Sequence, residues 1–162
     1  MPLPLNSKIL SLAELAPILE SSRRSGKSIV FTNGCYDLLH PGHVDFLNRC
    51  KALGDLLVLG LNSDASVRRQ GKNPPRPVTP FADRAFVLAH LAAVDYVLGF
   101  EEDTPLQLIA AIQPQILVKG GDWPLERIVG RAEVEAGGGR VLSLPLLPGY
   151  STTGTINKIK SL

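Results

Sequence analysis

The 162-residue chain has only two cysteines, Cys35 and Cys50, and they form no Cys-x-x-Cys pair. Zinc sites and disulfide frameworks need more sulfur at closer spacing, so both read as reduced thiols. An excess of one charge is missing too. Lys and Arg number 17 against 15 Asp and Glu, and a formal net charge of +2 is too small to argue for nucleic acid. No apolar run approaches the roughly 18 residues of a membrane span. Met1-Pro2-Leu3-Pro4-Leu5 lacks the basic-then-apolar order of a secretion signal, so a cytoplasmic protein with no membrane partner is expected. No Gly-x-Gly-x-x-Gly follows the first strand-forming run, and the full Gly-x-x-x-x-Gly-Lys-Ser/Thr pattern does not occur. That excludes a dinucleotide fingerprint and a P-loop.

What the chain does have is apolar material, 44% of its residues, enough to bury one core without metal or disulfides. Helical and strand patterns alternate along it. Ser11-Leu12-Ala13-Glu14 reads as a capping box opening a helix with Leu12, Leu15, Ala16 and Leu19 on one face. Residues 28–32 predict a strand ended by an Asn33-Gly34 turn, and residues 40–53 a helix. Residues 56–61 are apolar on both faces, as a central parallel strand should be. Residues 62–79 are polar, rich in proline and carry Arg68, Arg69, Lys72 and Arg76. They predict a functional loop with a short helix near 65–69. Thr79-Pro80 and Thr104-Pro105 should each open a helix, the first running to about Ala93. Residues 95–99, 116–118 and 140–144 predict three more strands, Gly137-Gly138-Gly139 the end of a helix, and Ser151-Thr152-Thr153 the start of a last one. The expected fold is α/β: a single domain with a Rossmann-like, doubly wound parallel sheet of about five strands and helices on both faces. Its core would span 28–159, after an N-terminal extension, 1–27, with one helix.

His40-Pro41-Gly42-His43 carries the most chemical information. It lies where the first strand ends and a helix begins, and Pro41 suits a first helical turn. Free backbone N–H groups and the positive end of the helix dipole converge there, so the place suits phosphate. Gly42 lets a ligand approach the backbone between two imidazoles able to donate hydrogen bonds. Ligands of such sheets bind beyond the carboxyl ends of the strands. Residues 33–43, 62–64, 119–122 and 151–153 all fall at those ends.

These residues match a family. Phe31-Thr32-Asn33-Gly34-Cys35-Tyr36-Asp37-Leu38-Leu39-His40-Pro41-Gly42-His43 resembles the signature of nucleotidyltransferases related to the cytidylyltransferases, and Ser151-Thr152-Thr153 resembles their second signature. The Val118-Lys119-Gly120-Gly121-Asp122-Trp123, Glu102-Asp103-Thr104-Pro105-Leu106, Asn62-Ser63-Asp64-Ala65-Ser66 and Arg76-Pro77 blocks look like the adenylyltransferase domain of enzymes that make ADP-heptose for lipopolysaccharide. Tyr150 departs from the pattern, standing where a smaller residue is common.

The resemblance implies transfer of AMP from ATP, with Mg²⁺, to D-glycero-β-D-manno-heptose 1-phosphate. It assigns His40, His43 and Lys72 to catalysis. Thr32, Asn33, Gly34, Asp37, Gly42, Arg76, Arg84, Gly120, Asp122, Trp123, Ser151, Thr152 and Thr153 would bind nucleotide and phosphate. Cys35, Tyr36, Asp64 and Lys119 would meet the acceptor, and Asp37 is the carboxylate best suited to Mg²⁺. Isolated domains of this kind are usually homodimers, and Phe81, Phe86, Leu88 and Leu91 offer an apolar face for one. Two rivals stand beside this reading. One is a cytidylyltransferase acting on glycerol 3-phosphate or an amino-alcohol phosphate, which shares both signatures. The other is a nucleotide-binding module without catalysis, because fold alone does not establish activity.

Overall fold

Alternation inside each strand determines how the layers form. Ile29, Phe31, Val58 and Leu117 point to one face of the sheet, Val30, Leu57, Leu59 and Val118 to the other, and all are buried. In the computed structural model, which describes residues 6–121 and 123–162, these strands form one all-parallel sheet. They are β1 (Ile29–Gly34), β2 (Leu56–Asn62), β3 (Tyr96–Phe100), β4 (Ile116–Gly120) and β5 (Arg140–Leu144), ordered β3-β2-β1-β4-β5. The expected Rossmann-like, doubly wound α/β architecture is the one found.

Helices α2 (Pro41–Lys51) and α4 (Phe81–Ala89) cover one face through Phe46, Leu47, Cys50, Ala85 and Leu88. The other face takes α1 (Leu12–Arg24), α5 (Leu106–Ile112) and α6 (Arg131–Ala136) through Leu15, Leu19, Leu108, Ile109, Ile112 and Val134. A short α3 (Asp64–Arg69), a 3-10 turn at Leu125–Arg127 and the final α7 (Thr152–Lys160) complete the described elements. β1 has β2 on one side and β4 on the other, so the chain reverses its winding there and opens a crevice beyond their carboxyl ends.

The N-terminal extension belongs to this body. Ser11 and Glu14 form the predicted capping box, and Ile9 makes a parallel bridge to Val97 at the sheet edge. Gly26-Lys27-Ser28 precedes β1 and so lies at the wrong end of that strand for a phosphate loop. Among the described residues no helix is long and apolar enough to cross a membrane. The Met1–Leu5 segment lies outside the described residues.

Several local expectations need correcting. Asn33 and Gly34 are the last residues of β1, paired with Gly60 and Leu61, because the parallel ladder to β2 extends beyond the apolar run. Thr79 and Thr104 cap nothing. Pro80 and Pro105 hold the cap positions of α4 and α5, without a side-chain cap. Helix α4 stops at Ala89, and Leu91 and Val94 follow in tight i to i+3 turns. Those turns deliver Asp95 to the backbone N–H of Leu57 at 2.6 Å and Nζ of Lys51 at 2.7 Å. Leu12 and Ala16 face solvent. The residues offered for a dimer are largely used within the chain: Leu88 is fully buried, Leu91 packs on the core, and the Phe81 ring lies against Gly99.

Candidate active site

The crevice is built outward from the end of β1. A side chain at Gly34 would meet the Tyr36 ring at 2.8 Å, so glycine lets that ring fold back over the strand end. Tyr36 adopts a left-handed backbone (φ 45°), and its buried ring lies 5.2 Å from the His43 ring. Burial keeps its hydroxyl protonated.

His40 holds the N-cap position of α2 in extended conformation, with Pro41 next, as its sequence suggests. One turn on, His43 brings its ring parallel to that of His40, with centroids 3.8 Å apart and planes within 19°. Nδ1 of each ring is buried and has no partner among the described residues. Burial lowers the pKa of both, and the neighbouring His40 lowers His43 further, to about 4. Both imidazoles are therefore uncharged at neutral pH in the free site. A Cβ on Gly42 would sit 3.1 Å from the His40 ring and 3.2 Å from Cβ of Tyr150, so the stack depends on glycine there.

The start of α7 closes one side. Ser151 Oγ accepts from the Gly154 N–H as the helix cap, at 2.9 Å. Thr152 Oγ1 donates to the Leu38 carbonyl at 3.3 Å, and Thr153 Oγ1 accepts from Arg76 at 3.2 Å. The Ser151 hydroxyl thus caps the helix itself, the Thr152 and Thr153 hydroxyls join it to the rest of the site, and Thr152 lines both cavities described below.

Asp37 does not present a free carboxylate. Its oxygens accept from the Val78 N–H (2.8 and 2.9 Å) and the Thr79 N–H (2.8 Å), and face Arg76 at 3.5 Å. Both side chains of that pair are at most 5% exposed. Asp37 therefore latches the basic loop. No described cluster of three or more His, Cys, Asp or Glu could hold a metal. The described residues do not fit a protein-held Mg²⁺.

Three expected ligands, Arg84, Asp64 and Thr32, lie behind the wall. Arg84, 2% exposed, donates Nε to the Thr79 carbonyl, one terminal nitrogen to the carbonyls of Cys35 and Asn62, and the other to Asp64 at 2.6 Å. The Arg84–Asp64 pair thus ties the end of β2 and the start of α3 to the segments at Cys35 and Thr79 without lining either cavity. Thr32 is fully buried in the sheet and does not line one either. Asp122 lies outside the described residues.

The other residues surround two adjoining cavities. The smaller, about 370 Å³, is lined by His40, Gly42 and Ser151 together with Phe46, Gly120, Leu146, Leu147 and Tyr150. The larger, about 560 Å³, adds Asp37, Gln70, Arg76, Thr104, Trp123 and Arg127. Asn33, Gly34, Cys35, Tyr36, His43, Lys72, Lys119 and Thr152 line both. Lys72 Nζ is 3.5 Å from Cys35 Sγ, and burial lowers the pKa of Lys119. Trp123 lines the larger cavity and Gly120 the smaller. Sequence reasoning gave no role to Gln70, Arg127, Leu146 or Leu147. The first two lie outside the quoted motifs, and the leucines lie in a proline-flanked stretch without periodicity.

Residues 31–157 match the family described as Cytidylyltransferase-like. The chain is 54% identical over 154 residues to the Bifunctional protein HldE of Syntrophotalea carbinolica, covering 95% of this chain and 31% of that protein. It is 53% identical over 156 residues to the protein of that name in Geotalea uraniireducens, covering 96% of this chain and 32% of that protein. The chain thus spans about a third of the length of these relatives. Among solved structures, the lipopolysaccharide core biosynthesis protein of Thermoplasma volcanium superposes with TM-score 0.62 at 25% identity, over 75% of this chain and 98% of that one. Pantothenate synthetase of Thermus thermophilus shares the fold at TM-score 0.54 and 19% identity, over 93% and 70%. The chain belongs to the cytidylyltransferase-like family.

Proposed function

We propose that this chain is an adenylyltransferase that moves AMP from Mg²⁺-bound ATP to D-glycero-β-D-manno-heptose 1-phosphate, giving ADP-heptose and pyrophosphate. The observation that carries the reading is the stacked pair His40–His43, which borders two adjoining cavities opposite the start of α7. A single-substrate binding module needs one cavity. A transferase joining two polyanions needs two that meet at donors for phosphate oxygens. The identity of the sugar is supported by the blocks around residues 102–106 and 118–123 and by the relatives named HldE.

An oxygen of the acceptor phosphate attacks the α phosphorus, and the bond to the α,β-bridging oxygen breaks as pyrophosphate leaves. The acceptor phosphate is already largely dianionic at neutral pH, so no general base is required. The protein's work is positioning and charge neutralisation. His40 and His43 donate to phosphate oxygens, Lys72 and Lys119 neutralise charge where the cavities meet, and the first-turn N–H groups of α7 hold the terminal phosphates. The test is pyrophosphate release by the purified protein across a panel of nucleotides and acceptors, with the product identified by mass. ATP with heptose 1-phosphate should be the fastest pair. Faster release from CTP with glycerol 3-phosphate would overturn the assignment.

A further inference from the structure

The two cavities differ in chemistry once their shared wall is set aside. Beyond the histidines the smaller one offers apolar surface from Leu146, Leu147 and the flat rings of Phe46 and Tyr150, with Gly120 against Phe46 and Leu146. That lining suits a heterocyclic base. The larger one offers the polar groups of Gln70, Asp103, Thr104 and Arg127 and the Trp123 indole, beside Pro105, Ile128 and Val129. That lining suits a polyhydroxylated body: an aromatic face for its C–H groups and separate donors and acceptors for its hydroxyls.

Arg127 is the least explained of these residues. Its chain neighbour Glu126 pairs with Arg131 at 3.5 Å, and no described residue accepts from its guanidinium. Its backbone is nonetheless fixed. Ile128 is 6% exposed in the core, and Gly130, at φ 88°, brings the chain so close to α5 that a Cβ would lie 2.6 Å from Ile109. The same contact fixes the 3-10 turn relative to the start of α5, where Thr104 faces the cavity.

Resting on the adenylyltransferase reading, we infer that the larger cavity receives the acceptor. Arg127 and Thr104 select it by hydrogen bonds to hydroxyls at the end of the sugar remote from its phosphate, and Trp123 forms the wall beneath it. Lys72 and Lys119, common to both cavities, meet the acceptor phosphate where it adjoins the nucleotide. Specificity for the sugar then resides in residues 104 and 127, outside the histidine and hydroxyl signatures. A missing hydroxyl leaves a positioned donor without its partner, so shorter sugars bind less well.

Trp123 is the only tryptophan of the chain, so intrinsic fluorescence reports on this cavity. Full-length protein is titrated with heptose 1-phosphate, with mannose 1-phosphate, which lacks the seventh carbon, and with an ATP analogue bearing a methylene between α and β phosphorus. Heptose 1-phosphate should change Trp123 emission, mannose 1-phosphate should bind about tenfold more weakly, and the analogue should bind without competing. Arg127→Ala and Thr104→Ala should each weaken heptose 1-phosphate by about tenfold, abolish most of its advantage over mannose 1-phosphate and leave analogue affinity unchanged. Circular dichroism of both variants verifies that they fold. Competition between heptose 1-phosphate and the analogue, or undiminished sugar discrimination in folded Arg127→Ala and Thr104→Ala, would overturn the inference. Pyrophosphate release by the parent protein separates the two claims. Release with either of those binding results leaves the transferase reading standing, whereas the expected binding without any release removes the transferase reading and leaves the sugar site.

Discussion

Replacing Asp37 with Asn distinguishes a latch from a metal ligand. The substitution keeps the shape of the side chain. It leaves Oδ1 to accept from the Val78 and Thr79 N–H groups, puts an NH₂ in place of the Oδ2 that faces the Val78 N–H and Arg76, and removes the charge opposite Arg76. Arg76 is 7% exposed, and its Nε has no partner among the described residues, so its charge would remain buried with only the Thr153 hydroxyl to receive it. Breaking one side of a buried pair costs about 3–5 kcal/mol. The 3.5 Å separation and the Thr153 bond place this case at the low end, about 3 kcal/mol. Urea unfolding followed by circular dichroism should show a midpoint lowered with little change in slope. Adding Arg76→Met to Asp37→Asn should recover part of the loss, because it removes the stranded charge. The Mg²⁺ dependence of pyrophosphate release by the folded single variant should match that of the parent. A parent-like midpoint together with a raised Mg²⁺ requirement would refute the latch and return Asp37 to the metal.

His40→Ala or His43→Ala should lower turnover by on the order of 100- to 1000-fold with a smaller change in the ATP KM, measured by steady-state pyrophosphate release. Thr152→Ala should mainly raise the ATP KM in the same assay, because α7 meets phosphates charged before as well as during reaction. The fold holds His43 at a pKa of about 4, below its ordinary 6.5, so between those values the unfolded chain binds a proton that the folded chain does not. Stability should therefore be complete above about pH 6.5 and fall by about 2 kcal/mol toward pH 4, allowing for partial solvent screening, and His43→Ala should flatten that slope in urea titrations. A polyanion beside the paired imidazoles raises their pKa, so nucleotide binding near pH 5.5 should take up protons. Calorimetry in buffers of different ionisation heat measures that uptake.

Much of the architecture was legible because strand faces and helix stripes are local patterns. The doubly apolar run ending at Leu61 could only be a central strand, and the Ser11–Glu14 box marks the first turn of α1 without tertiary help. The capping proposals at Thr79 and Thr104 went wrong because the following prolines took the cap positions themselves. The two histidines were legible through their setting between strand and helix. Their stacking was not, since it depends on the rotamers of two side chains and on Tyr150 from the far end of the chain. Arg84 and Asp64 illustrate the limit most clearly. A buried arginine and a ligand arginine look alike in sequence, and only the carbonyls of Thr79, Cys35 and Asn62, from three separate segments, separate them. The larger cavity escaped notice for a similar reason, since Gln70, Thr104 and Arg127 meet only through the crossovers of the sheet.

The bridge between Ile9 and Val97 has a consequence for how copies of this chain meet one another. An open parallel sheet ends in two rows of backbone groups that invite pairing with a foreign strand. Along β3 that invitation is withdrawn, because the Val97 N–H donates to the Lys8 carbonyl at 2.8 Å and its carbonyl accepts from the Leu10 N–H at 3.0 Å. The opposite margin, β5, has only five residues, begins at the exposed charge of Arg140, and is followed at once by Pro145, which has no N–H to offer. Both margins are thus poor templates for a foreign strand, one through its own N-terminal segment and the other through its shortness and its flanking residues.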